Sequence, residues 1–154
     1  MIRKFQFEAQ IYESLSCLPM AARRKLDAVG IKIGRSQWAQ LGRGVRLMIC
    51  HAPANRADEI AALRLFIEEA VVSATSSRPA ELSEDVCRLA ACPPSIAPAE
   101  LCARAKLHGV SLDQSAWSSL DADERYALIK LGCGAKSSHN FDAALNEILG
   151  QHER

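Results

Sequence analysis

The chain has 154 residues, 49% hydrophobic and 24% charged, the balance of an ordinary globular protein that buries roughly two-thirds of its unfolded surface. Nineteen Lys and Arg stand against 18 Asp and Glu, which argues against a nucleic-acid-binding domain and against an acidic solvating tail. Aromatics are only 5%, with eight Gly and six Pro, so a β-sandwich or barrel is disfavoured and an all-α fold of short helices is expected, with at most a tiny two-stranded β element.

Charged residues interrupt the stretch Met1 to Glu8 before an apolar run of signal length forms. The greasiest segment, 60–72, contains Arg64, Glu68 and Glu69 and does not read as a membrane span. A cytoplasmic protein without membrane contact is expected. Caps and periodicity then predict about ten helices. The first covers Glu8 to Leu15, and a second opens at Pro19 and stops at Val29, with Gly30 in the left-handed position that ends it. The longest runs from about 56 to 73, with Asn55 as N-cap, Asp58 and Glu59 in its first turn, and Ile60, Leu63, Ile67, Ala70 and Val71 on one face. It reads as the spine of the fold. Ser83 caps a helix to Ala91, Pro93 and Pro94 break it, Asp121 with Glu124 opens one to Leu131, and Asn140 starts the last, to Gly150.

Superposing the only tryptophans, Trp38 and Trp117, at their offset of 79 residues places Pro19 on Pro98, Gly30 on Gly109, Ser36 on Ser115, Leu41 on Leu120 and Arg46 on Arg125. The chain therefore reads as one helical domain made of two diverged copies, about 17–52 and 96–131, joined by the long helix about 56–73 and packed about a pseudo-twofold axis. Pro19, Gly30, Trp38, Pro98, Gly109 and Trp117 are its structural landmarks. Segments 30–33 and 109–112 are expected side by side as the small ladder. The copies differ where the second has Asp121-Ala122-Asp123-Glu124 and the first has Gly42-Arg43-Gly44, without cap or acid. Residues 1–75 carry a net +4 and residues 76–154 a net −3.

Chemistry-bearing motifs are sparse. Six dispersed cysteines read as reduced thiols, and Cys87 with Cys92 has neither the spacing nor the helical register of a metal site. The four histidines lack a framing motif, and Asp121, Asp123 and Glu124 read as a helix-opening acidic turn rather than a catalytic pair. Gly42-Arg43-Gly44 lacks the lysine and hydroxyl of a phosphate loop. Arg23-Arg24-Lys25 is short and lies beside Asp27, so nucleic acid is disfavoured as a partner. No enzyme, metal or cofactor is expected.

The run Leu15-x-Cys17-x-Pro19-Met20-x-x-Arg23-x-Lys25-Leu26-Asp27-x-x-Gly30-Ile31-Lys32, with Trp38, resembles the opening signature of the nitrate reductase-associated protein family. Arg125 to Leu131, then Asn140-Phe141 and Ala144-Leu145, is similar to its second signature, while residues 50–100 match poorly. The resemblance implies a small bacterial accessory protein of nitrate assimilation, needed for the activity of a cytoplasmic molybdenum nitrate reductase and not itself a catalyst. It supplies no catalytic residues. If the signatures bind the reductase, the contact candidates are Arg23, Lys25, Asp27 and Lys32 in the first copy and Lys130, Lys136, His139 and Asn140 in the second. The alternative is a sensor holding a small ligand between the two copies.

Overall fold

The computed structural model describes residues 3–134 and 140–152. Among them the chain forms a 3-10 turn (Gln6–Glu8) and ten helices. These are α1 (Ala9–Ser14), α2 (Met20–Val29), α3 (Arg35–Gln40), α4 (Arg43–His51), α5 (Ala57–Thr75), α6 (Glu84–Ala91), α7 (Ala99–Leu107), α8 (Gln114–Ser119), α9 (Ala122–Gly132) and α10 (Phe141–His152). Two-residue strands β1 (Ile31–Lys32) and β2 (Ala80–Glu81) complete the fold, and no described helix is long and apolar enough to cross a membrane. The helices divide into two compact units. Unit one holds Arg3, Lys4 and Glu8–Ala91; unit two holds Phe5–Phe7 and the described residues from Cys92 onward.

In unit one α2 is the hub. Pro19, extended at φ −73°, is its N-cap, and Gly30 at φ +78° ends it in the left-handed region that costs a side-chain-bearing residue energy. Between them Met20, Ala21, Ala22, Leu26 and Val29 are buried, and α4, α5, α6 and β1 all lie against this one helix. α5 packs the face read from the sequence: Leu63, Ile67 and Val71 are buried and Ile60, Phe66 and Ala70 pack against the same core, while Leu65 and Val72 turn outward. Just ahead of this helix the Glu59 carboxylate reaches back to accept from the main-chain nitrogens of Asn55 (2.9 Å) and Arg56 (3.1 Å), and the N-cap is Arg56 in place of the expected Asn55.

The ladder is also corrected. Ile31 and Lys32 pair antiparallel with Glu81 and Ala80, and Leu82 N donates to Gly30 O at 2.9 Å, whereas residues 110–112 form no strand. Arg64 of α5 explains the choice. Its guanidinium donates to Val29 O (2.8 Å) at the end of α2 and meets Glu81 (2.7 Å), so the segment following α5 is brought to the chain leaving α2.

In unit two α9 is buried on nearly every side and takes α7 and α10 against it. Gly132 allows that approach: a Cβ there would lie 2.4 Å from Phe141 Cε2 and 2.6 Å from Leu101 Cδ1. The Glu147 carboxylate of α10 accepts from Gln6 N and Phe7 N, which fastens the Phe5–Phe7 segment to this unit. Helices begin at residues 20, 35 and 43 in unit one and at 99, 114 and 122 in unit two, pairwise at the offset of the tryptophans. Trp38 and Trp117 are both fully buried.

Candidate partner-binding site

A surface that recognises a partner needs charges not already engaged inside the fold, so the positions of the cations matter most. Many serve helix C-termini, where unpaired carbonyls and the helix dipole favour positive charge. Arg46 Nη1 donates to Leu15 O after α1 (2.8 Å), Arg64 to Val29 O of α2, Lys25 Nζ to Cys50 O of α4 (2.9 Å) and to Ala52 O just beyond it, and Arg24 Nε to Ala90 O of α6 (2.9 Å). In unit two Arg125 donates to Trp117 O (3.2 Å) and Ser118 O (3.1 Å) of α8. The basic triplet on α2 is thus largely a set of struts.

The sequence-derived contact candidates accordingly fall into different settings. Lys25 is tied to the end of α4, and Asp27 is buried in unit one. Arg23 is half-buried, with an Nε that has no hydrogen-bond partner among the described residues. Lys32 stands exposed on β1. Lys130 is half-buried on α9; Asn140 is exposed and its carbonyl accepts Ala144 N (2.8 Å) at the start of α10. Lys136 and His139 lie outside the described residues.

The carboxylates that open α9 are engaged by its own main chain. Asp121 Oδ1 accepts Glu124 N (2.8 Å) while Glu124 Oε2 accepts Asp121 N (2.9 Å), so those carboxylates form a capping box. Burial pushes the Cys50 thiol up to about 11, an effect that the Lys25 ammonium only partly offsets, and burial likewise raises Cys133; both are thiols at neutral pH, the unreactive form. Desolvation, then the nearby Glu8 carboxylate, raises Tyr12 as well. Among the described residues no group of three or more His, Cys, Asp or Glu is placed to hold a metal ion.

Two residues that sequence reasoning missed organise unit one. Glu8, nearly fully buried, accepts Met20 N at 3.1 and 3.0 Å and the Tyr12 hydroxyl at 3.0 Å, and so caps α2 from twelve residues upstream because Pro19 has no side-chain oxygen to do it. Arg64 binds Glu68 (3.0 Å), Glu81 and Val29 O together. Its signal was a charge inside an apolar run. Beside it, Leu65, Glu69, Val72, Arg78 and Pro79 line an open groove of about 700 Å³ between α5 and β2.

Comparison with known proteins adds one match. A family model described as conserved nitrate reductase-associated protein matches residues 4–148, running continuously through the middle stretch that carries no signature. Neither curated proteins nor solved structures give a match.

Proposed function

Because the chain belongs to the conserved nitrate reductase-associated protein family, we propose that it is a non-catalytic accessory protein that binds a molybdenum-dependent assimilatory nitrate reductase in the cytoplasm and supports its activity. The family match over 4–148 carries this reading. Supporting it are thiols held protonated by burial and carboxylates used as helix caps, both of which suit a scaffold better than a catalyst. Such a protein needs only a higher affinity for the competent state of its partner: a difference of about 1–3 kcal/mol shifts that state roughly 5- to 150-fold. On the same reading residues 17–52 and 96–131 are diverged copies of one helical motif. Arg23 and Lys32 in the first copy, with Lys130, Lys136, His139 and Asn140 toward the second, would meet the reductase, while Lys25 would hold α4 against α2 beneath them and the buried Asp27 would support α2.

The test is co-purification of the tagged protein from nitrate-grown cells. The expected result is stoichiometric recovery of a molybdenum reductase and loss of nitrate-dependent growth on gene deletion. A preparation without the reductase, together with normal growth of the deletion strain, defeats the proposal.

A further inference from the structure

In unit one the chain leaving α2 is covered. Ile31 and Lys32 pair with Glu81 and Ala80, Gly30 O accepts Leu82 N, and α6, which follows β2, lies on α2; Asp27, Gly30 and Ile31 are all buried. In unit two the chain leaves α7 by the same backbone route. Gly109 at φ +77° donates to Lys106 O and Gly30 at φ +78° to Asp27 O, three residues back in each case. There the chain lies open: Lys106, Gly109 and Ser111 are exposed, Val110 is half-buried and Leu107 is 86% exposed. A Cβ on Gly30 would meet Cys87 of α6 at 3.1 Å, whereas one on Gly109 meets no atom within 4 Å.

The main chain is open at the matching groups. Antiparallel pairing alternates along a strand, so the carbonyl of Gly30 and both main-chain groups of Lys32 face β2 while those of Ile31 face away. Their counterparts, Gly109 O and the N–H and C=O of Ser111, have no hydrogen-bond partner among the described residues, and Val110 N is turned inward onto Ala105 O (3.0 Å). Beside them runs a groove of about 400 Å³ lined by Cys102 and Lys106 of α7 and by residues 109–112; among these lining residues Lys106 alone is charged.

We propose that segment 109–112 is an open strand edge that receives an extended acidic segment of the reductase as an antiparallel partner, in the way β1 receives β2. This inference rests on the reading above that a reductase is the partner. Main-chain hydrogen bonds to Gly109 O and Ser111 hold the segment, and a carboxylate facing Lys106 sets its register. β2 supplies the pattern: its acid, Glu81, stands opposite Ile31 and meets the cation of an adjacent helix, Arg64. A second copy of residues 109–112 carries no carboxylate to set against Lys106, which favours a different chain as the occupant.

Ser111→Pro separates docking from folding, because it deletes an N–H that no described group of the free protein accepts. The variant is expected to keep the wild-type circular dichroism yet bind purified reductase about tenfold more weakly, and Lys106→Glu should do the same. Arg35→Glu, the same charge reversal at an exposed position of unit one, should bind as wild type does. In the unaltered protein, hydrogen exchange at Ser111 N should slow when reductase is added. Equal reductase binding by wild type, Ser111→Pro and Lys106→Glu, or exchange at Ser111 N that reductase leaves unchanged, overturns the assignment while leaving the proposed function standing. A wild type that ignores the reductase overturns both. Concentration-dependent dimers that Ser111→Pro abolishes while reductase binding persists overturn the choice of occupant.

Discussion

The indole N–H of Trp38 donates to the carbonyl of Leu15 at 2.8 Å, and that of Trp117 donates to the carbonyl of Pro94 at 3.0 Å; in both units the acceptor stands 23 residues upstream of its tryptophan. Each tryptophan thereby satisfies its polar edge while its ring fills the core, and each fastens the chain ahead of its unit's proline-capped helix. The Leu15 carbonyl is shared with Arg46, and Leu15 itself is held at φ +53°, a left-handed conformation that costs a non-glycine residue of order 1 kcal/mol or more. Trp38→Phe should destabilise the protein by about 2 kcal/mol, from the lost hydrogen bond and the volume vacated. Because the acceptor is shared, a double-mutant cycle with Arg46→Met should depart from additivity by about 1 kcal/mol in urea unfolding. Strict additivity contradicts the shared node.

Gly30 and Gly109 have nearly the same backbone, φ +78° and +77°, in different surroundings. A Cβ on Gly109 meets nothing within 4 Å, whereas one on Gly30 meets Arg64 Nη1 and Cys87 Sγ, each at 3.1 Å. Gly109→Ala should cost only the left-handed strain, about 1 kcal/mol. Gly30→Ala adds the displacement of Arg64 from Val29 O and should cost about 2–3 kcal/mol. Urea midpoints in the opposite order contradict the packing argument.

The contributions of Arg64 are separable by burial. Glu81 is largely exposed, so Glu81→Gln should change stability by less than about 0.5 kcal/mol. Val29 O is at the end of a buried helix, so Arg64→Leu should cost about 2 kcal/mol and speed hydrogen exchange at Leu82 N, which bonds Gly30 O in the ladder. Unchanged exchange at Leu82 would mean the ladder stands without Arg64.

These cases show why part of the fold is legible in the sequence and part is not. Helix ends are readable where the signal is local: Asp121 and Glu124 satisfy each other's main-chain nitrogens three residues apart, and the pattern is visible in the string itself. The hub is not readable. α5 has the apolar content of a central helix, but Leu65 and Val72 point out, and which apolar residues are buried depends on what α2 offers as a neighbour. Two-residue strands have no periodicity, so the partner of Ile31 is set by Arg64, 33 residues away, and not by the resemblance between segments 30–33 and 109–112. Lys25 reads as a contact candidate because the sequence does not reveal that its ammonium reaches the end of α4.

Alkaline pH should act through Cys50. Its thiol, at 9.0 in the unfolded chain, is pushed to about 11 by burial in the folded one. The unfolded state therefore gives up its proton first as pH rises. The stabilisation is complete below pH 9 and is lost as pH climbs through about 11, a total of order 2 kcal/mol. Urea midpoints should fall more steeply between pH 8.5 and 10.5 in wild type than in Cys50→Ala. At neutral pH, iodoacetamide followed by mass spectrometry should label exposed Cys92 well before Cys50. Parallel pH profiles for the two proteins would assign the alkaline transition to other groups.

The missing cap of α4 makes the last prediction. Gly42 is extended at φ −64° and ψ 154°, a geometry that Asp adopts as an N-cap, and a Cβ there meets nothing within 4 Å. Gly42→Asp gives α4 the side-chain acceptor that Asp121 gives α9 and places a negative charge at the positive end of the helix dipole. Glycine is itself a tolerable N-cap, so the gain comes from the dipole and a stiffer unfolded chain and should be about 0.5–1 kcal/mol, read as a higher urea midpoint with unchanged slope. A midpoint equal to or below that of wild type contradicts the capping argument.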